Sequence, residues 1–125
     1  MINLIIDAAN EKIIFAIITD DRSYTTSYLN SRENFDKFMK LLLNFLEKEK
    51  IPINDINKIF INLGPGKFTG IRISLSIVKA ISLVNKITLI GFNSKDITKG
   101  NYKNLIKLYK KKLLIKGLKK PIYSS

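Results

Sequence analysis

A carboxylate at the end of an apolar strand can hold a metal–nucleotide, and Asp7 follows the apolar run Asn3–Ile6 in that position. The turn after it reads Asp7-Ala8-Ala9-Asn10, without the glycine that lets a phosphate approach backbone N–H groups. Asp7 therefore reads equally well as a turn residue. A second candidate is Gly64-Pro65-Gly66-Lys67-Phe68-Thr69-Gly70, a glycine-rich loop leading from a strand into a helix. Such loops can cradle phosphate, but this one lacks the lysine–hydroxyl pair of a nucleotide loop, and Thr69 suits a helix cap. General acid–base chemistry asks for two carboxylates converging in a cleft, whereas Asp7, Asp20, Asp21 and Asp55 are scattered over strand ends and turns. The chain has no Cys and no His. Thiolate nucleophiles, disulfides, zinc centres and imidazole catalysis are thereby excluded. No catalytic set, metal or cofactor is expected.

The elements that would carry these residues follow from hydrophobic patterning. Asn3–Ile6, Lys12–Thr19 and the alternating run Ser23–Leu29 read as three strands of an antiparallel meander, the last at an edge. Asn30 or Ser31 then caps a helix, with Glu33 in capping-box position after Asn30. Its core stripe is Phe35, Phe38, Met39, Leu42 and Leu46, and Pro52 ends the element. Lys58–Leu63 is a fourth strand, Gly70 to Val84 a second helix, and Ile87–Ile90 a fifth strand. The second helix carries Ile73, Ile77, Ile81 and Val84 on one stripe, with Ile71, Leu75, Val78 and Leu83 on other sides and only Arg72 and Lys79 charged. A helix apolar nearly all round must be buried on more than one side. That points to a protein interface, or else to cover by the C-terminal segment.

The 125 residues make one domain by length and can bury a core. Their +12 net charge is unevenly placed: residues 1–98 carry 13 basic and 10 acidic side chains, and residues 99–125 carry nine Lys and no acid. The chain thus divides into a near-neutral lobe, 1–98, and a basic segment, 99–125, helical from Asn101 to Leu114 through Leu105, Ile106, Tyr109 and Leu113 and then tail. The charge invites a nucleic-acid reading, with Lys110, Lys111 and Lys112 as contacts. Only Arg22, Arg32 and Arg72 are arginines, so bidentate phosphate or base contacts are absent from the segment, and a solvated lysine face explains it too. The longest unbroken apolar run, Ile13–Ile18, is far short of a bilayer span. No basic n-region precedes Asp7, so no signal peptide, no membrane contact and a cytoplasmic location are expected.

Ile5-Ile6-Asp7-Ala8-Ala9, the run Gly64-Pro65-Gly66-Lys67-Phe68-Thr69-Gly70-Ile71-Arg72-Ile73, and Ile90-Gly91 together resemble the TsaB (YeaZ) family. The resemblance covers residues 1 to about 95, the N-terminal lobe of such proteins. It implies an α/β fold, an actin-like (ASKHA, ribonuclease-H-like) half with a mixed five-stranded sheet in the order βββ-α-β-α-β plus the basic segment. It also implies a non-catalytic partner of a TsaD-like enzyme that installs threonylcarbamoyl on ANN-decoding tRNA, with a TsaE-like ATPase joining the pair. In that family the first two helices form the heterodimer contact. The corresponding residues here are Phe35, Phe38, Met39, Leu42, Arg72, Ile73, Ser76, Ile77 and Ala80, and the family's motif loop is Gly64, Pro65, Gly66, Phe68, Thr69 and Gly70. The chain departs from the pattern in lacking the second lobe, in Asn34 where relatives often have His, and in Lys67 where they have Ser. A homodimer of this chain alone and a glycoprotease-like hydrolase are the rival expectations.

Overall fold

The computed structural model describes residues 1–97 and 100–111. Five strands, β1 (Asn3–Asp7), β2 (Lys12–Ile18), β3 (Ser23–Leu29), β4 (Lys58–Asn62) and β5 (Thr88–Phe92), form one sheet in the order β3-β2-β1-β4-β5. β1, β2 and β3 are the expected antiparallel meander, with Ile5 opposite Ala16 and Phe15 opposite Thr26. β4 lies parallel to β1, and β5 parallel to β4. Parallel neighbours require crossover connections, and helices supply them: α1 (Arg32–Asp36) and α2 (Phe38–Lys48) between β3 and β4, and α3 (Phe68–Asn85) between β4 and β5. A last helix, α4 (Lys103–Lys110), follows β5.

Strand alternation gives the sheet two apolar faces. Leu4, Ile6, Ile13, Phe15, Ile17, Ile59 and Ile61 form one, buried beneath α1, α2 and α3. Ile5, Ala16, Ile18, Phe60, Ile90 and Phe92 form the other, and Tyr102, just before α4, and Leu105 within it cover it. The described part of the basic segment thus packs on residues 1–97, and its helix completes the core. The helix begins at Lys103, not Asn101, and Lys112, Leu113 and the rest of 112–125 lie outside the described residues.

The expected single first helix is two. Lys37, at φ −105° and ψ 10°, interrupts the α-helical backbone, and Phe35 before it and Phe38 after it are both buried. Ser31 is the cap, its Oγ accepting from the Asn34 N–H at 3.2 Å. Asn30 is not: its side-chain amide donates instead to the carbonyls of Ala8 at 3.2 Å and Asn10 at 2.6 Å. Glu33 is likewise free of the expected capping box and pairs with Lys37 at 3.2 Å on the surface. Ser31→Ala should therefore cost about 1 kcal/mol, the usual worth of an N-cap, read as a lowered urea midpoint with unchanged slope.

At 18 residues and mean hydropathy 1.3, α3 is long and apolar enough to cross a membrane by length and composition, although Thr69, Arg72, Ser74, Ser76 and Lys79 break its apolar run. In the fold it lies on the sheet. The side that faces inward is Ile71, Ser74, Leu75, Val78 and Ile81, not the stripe that includes Val84, which is 78% exposed.

Candidate functional site

The ends of β1 and β4 lie side by side, with Ile6 opposite Ile61. Asp7 and Asn62 are therefore neighbours, and the Asn62 amide donates to Asp7 Oδ1 at 3.0 Å. The same amide donates to Ser94 Oγ at 3.1 Å, while Asn62 Oδ1 accepts from the Gly64 N–H at 2.8 Å. Ser94, just beyond β5, donates from its hydroxyl to the Pro65 carbonyl at 2.9 Å and from its N–H to the Gly64 carbonyl at 2.8 Å. From the far side of the chain the Tyr102 hydroxyl donates to Asp7 Oδ2 at 2.7 Å. Burial, reinforced by the Asp7 charge and this hydrogen bond, raises the Tyr102 pKa far above the ordinary tyrosine range.

The motif loop wraps this cluster. The Lys67 N–H donates to the Ala9 carbonyl at 2.7 Å. A Cβ on Gly66 would stand 2.3 Å from that carbonyl oxygen, and one on Gly70 would stand 1.9 Å from the Ala8 oxygen. Glycine is demanded at both positions because backbone passes there. The close approach also explains which side of α3 faces in, since Ser74 and Val78 follow Gly70 at four-residue steps along the helix. Ser74 spends its hydroxyl on the Gly70 carbonyl at 2.7 Å. The helix starts at Phe68 with Lys67 as its cap residue, so Thr69 lies in the first turn and is not the cap. Lys67 itself reaches Glu11 at 2.9 Å on the surface.

Every buried side-chain nitrogen and oxygen among the described residues has a partner, and both oxygens of Asp7 are engaged within the chain. Among the same residues no three His, Cys, Asp or Glu side chains converge as a metal site. The cluster joins three strand ends, the motif loop and α4. Asp7 and the loop stand out in the sequence, whereas Asn62, Ser94 and Tyr102 do not. A lone Asn closing the apolar run Ile59-Phe60-Ile61 was a usable signal for Asn62, and nothing in the sequence ties Tyr102 to Asp7 across 95 positions.

The expected partner-binding residues divide into two groups. Phe35, Phe38 and Leu42 are buried against the sheet, with the Phe38 ring edge-on to Phe15 at 5.2 Å. They support the helices and present nothing to a partner, which corrects their assignment as contact residues. Met39, Arg72, Ser76 and Ala80 are exposed, and Ile73 and Ile77 are half-buried. Phe68, Thr69, Arg72, Ile73, Ser76 and Ile77 line a shallow groove of ≈ 360 Å³ along α3, and the Arg72 guanidinium lies 4.9 Å from the Phe68 ring centre. Leu43 on α2 and Leu83 on α3 add exposed apolar surface. α4 lies on the opposite face of the sheet, and among the described residues no further element covers this side. Lys110 and Lys111 are exposed at the end of α4.

Residues 4–104 match the TsaD family, described as tRNA N6-adenosine threonylcarbamoyltransferase. The chain is 33% identical over 94 residues to the tRNA threonylcarbamoyladenosine biosynthesis protein TsaB of Buchnera aphidicola, spanning 75% of this chain and 45% of that one. It is 29% identical over 91 residues to the Escherichia coli protein of the same name, spanning 73% and 39%. The solved structure of YeaZ from Pseudomonas aeruginosa superposes with a TM-score of 0.71 at 17% identity, over 89% of this chain and 49% of that one. RuvC of T. thermophilus, at TM-score 0.54 and 8% identity over 77% of this chain and 66% of that one, shares the fold alone. The chain spans less than half the length of the TsaB and YeaZ relatives it matches. With the motif loop, the strand order and these likenesses in agreement, the chain belongs to the TsaB/YeaZ family, within the wider group that the TsaD match describes.

Proposed function

We propose that the chain works in tRNA threonylcarbamoyladenosine biosynthesis, in the cytoplasm, as a non-catalytic scaffold for a TsaD-like threonylcarbamoyltransferase acting on ANN-decoding tRNA. A TsaE-like ATPase would join the pair, and tRNA would be met indirectly or through the basic segment. The observation that carries the reading is the exposed apolar surface of α2 and α3, with Met39 39% and Leu43 44% exposed on α2 and Phe68 47% exposed at the groove along α3. Exposed apolar side chains on two helices of one sheet face suit the buried centre of a protein interface.

Ile77 packs partly against the core, so exposed positions give the cleaner test. The double variant Met39→Asp with Ser76→Arg is expected to keep the fold and to weaken pairing about 100-fold, as loss of interface hot spots does. Light scattering on a sizing column, after mixing with the TsaD-like protein of the same genome, reads this directly. The native chain should elute as a 1:1 complex and the variant as two separate peaks. A 1:1 complex retained by the variant removes this face from the interface. Absence of pairing by the native chain removes the scaffold reading.

A further inference from the structure

The solvent side of α4 is built against its own electrostatics. Lys103, Lys107, Lys110 and Lys111 are all exposed, and at 100° per residue they fall on one side of the helix. Lys103 and Lys107, and Lys107 and Lys111, are like charges four residues apart, which repel. Lys103 stands in the first turn, where the helix dipole disfavours a cation, and Tyr102 gives no side-chain cap. No acid follows Asp96 to offset them. What holds the helix is its other side: the Tyr102 bond to Asp7, Leu105 fully buried, and Tyr109 edge-on to Phe60 at 6.2 Å. Lys58 adds a further cation beside its end, 5.4 Å from the Tyr109 ring centre.

We infer that this lysine face of α4 binds the phosphate backbone of structured RNA. From Lys103 to Lys111 the face runs about 12 Å along a helix fixed to the sheet. Lysines are compact point charges without the planar fork of arginine, which suits them to phosphates along a backbone. A membrane surface is the lesser candidate, because an interfacial helix must insert an apolar side and that side of α4 is spent on the sheet. α2 and α3 lie on the opposite sheet face, so RNA and a protein partner can be held together.

The choice of tRNA as probe rests on the pathway proposed above. Deleting residues 99–125 would strip a core element, so charge substitutions are the instrument. Anisotropy titrations of a tRNA transcript with the full chain, from about 50 to 200 mM salt, compare the native protein with the quadruple variant K103Q/K107Q/K110Q/K111Q. The variant is expected to bind at least about 10-fold more weakly and to lose about three units of the log–log salt slope, for about four phosphate contacts removed. K37Q/K40Q/K48Q/K79Q, with the same net charge and all substitutions outside α4, should bind like the native chain. Equal losses in the two variants would reduce the effect to net charge and overturn the proposal. So would no loss in either, or loss of binding to phosphatidylserine vesicles with tRNA binding intact. The column assay with the TsaD-like protein is run separately on the α4 variant, which should still pair. Failure of the RNA face and failure of the scaffold reading are thus told apart.

Discussion

Gly70→Ala is expected to destabilise the chain by about 3 kcal/mol, the upper end of what overpacking costs, and to leave little of a small domain's margin. The added Cβ would stand 1.9 Å from the Ala8 carbonyl oxygen, 3.1 Å from its carbon and 3.2 Å from the Asn30 amide nitrogen. None of the three can give way cheaply. Ala8 is buried backbone directly beyond β1, and the Asn30 amide is held by two carbonyls. Relief would require α3 to lift or roll, and rolling would turn Ser74 and Val78 away from the sheet. Urea unfolding checks the prediction: the midpoint should fall steeply at unchanged slope. An unchanged midpoint would mean that the loop can stand off the β1 end without cost. Because Gly70 fixes the roll of α3, a folded Gly70→Ala chain should also present a different side of that helix and pair less well with the TsaD-like protein.

That coupling explains what was and was not legible in the sequence. The meander, the two parallel strands and the helices between them follow from alternation and from short turns, which are local signals. The motif loop was legible because its residue types are unusual. The roll of α3 was not, since Ile73, Ile77, Ile81 and Val84 make as good an apolar stripe as Ile71, Leu75, Val78 and Ile81. A contact between Gly70 and Ala8, 62 positions apart, decides between them. The same limit hid the role of Phe35, Phe38 and Leu42. Apolar residues on a helix are read alike whether they face a sheet or a partner, and only the packed sheet separates the supporting residues from the exposed Met39 and Leu43. Charge misled over α4. Nine lysines without an acid suggested an appendage to the lobe, whereas the apolar side of the helix belongs to the core.

Tyr102→Phe should show how firmly α4 is built in. The substitution keeps the ring, which is 7% exposed, and removes the hydroxyl that donates to Asp7 Oδ2 at 2.7 Å. A hydrogen bond to a charged partner is worth about 1.5–3 kcal/mol net, and its loss leaves a buried carboxylate oxygen short of a donor. A loss of about 2 kcal/mol at neutral pH is expected. The pH dependence identifies the cause. Because the folded chain raises the Tyr102 pKa, the hydroxyl contributes its full stability below the unfolded value of about 10. Above that pH the unfolded chain loses the proton while the folded chain keeps it, so stability falls by up to about 1.4 kcal/mol per pH unit. The native chain should therefore lose its advantage over the Tyr102→Phe variant as pH rises past about 10, with the other tyrosines and the lysines cancelling in the comparison. Urea midpoints of both proteins at pH 7, 9 and 10.5 measure it. No gap at any pH would show that Tyr102 acts through its ring alone, and a constant gap would show that the hydroxyl's contribution is not linked to its raised pKa. A closing gap would show that one proton, shared between the last helix and the end of the first strand, helps fasten α4 to the sheet.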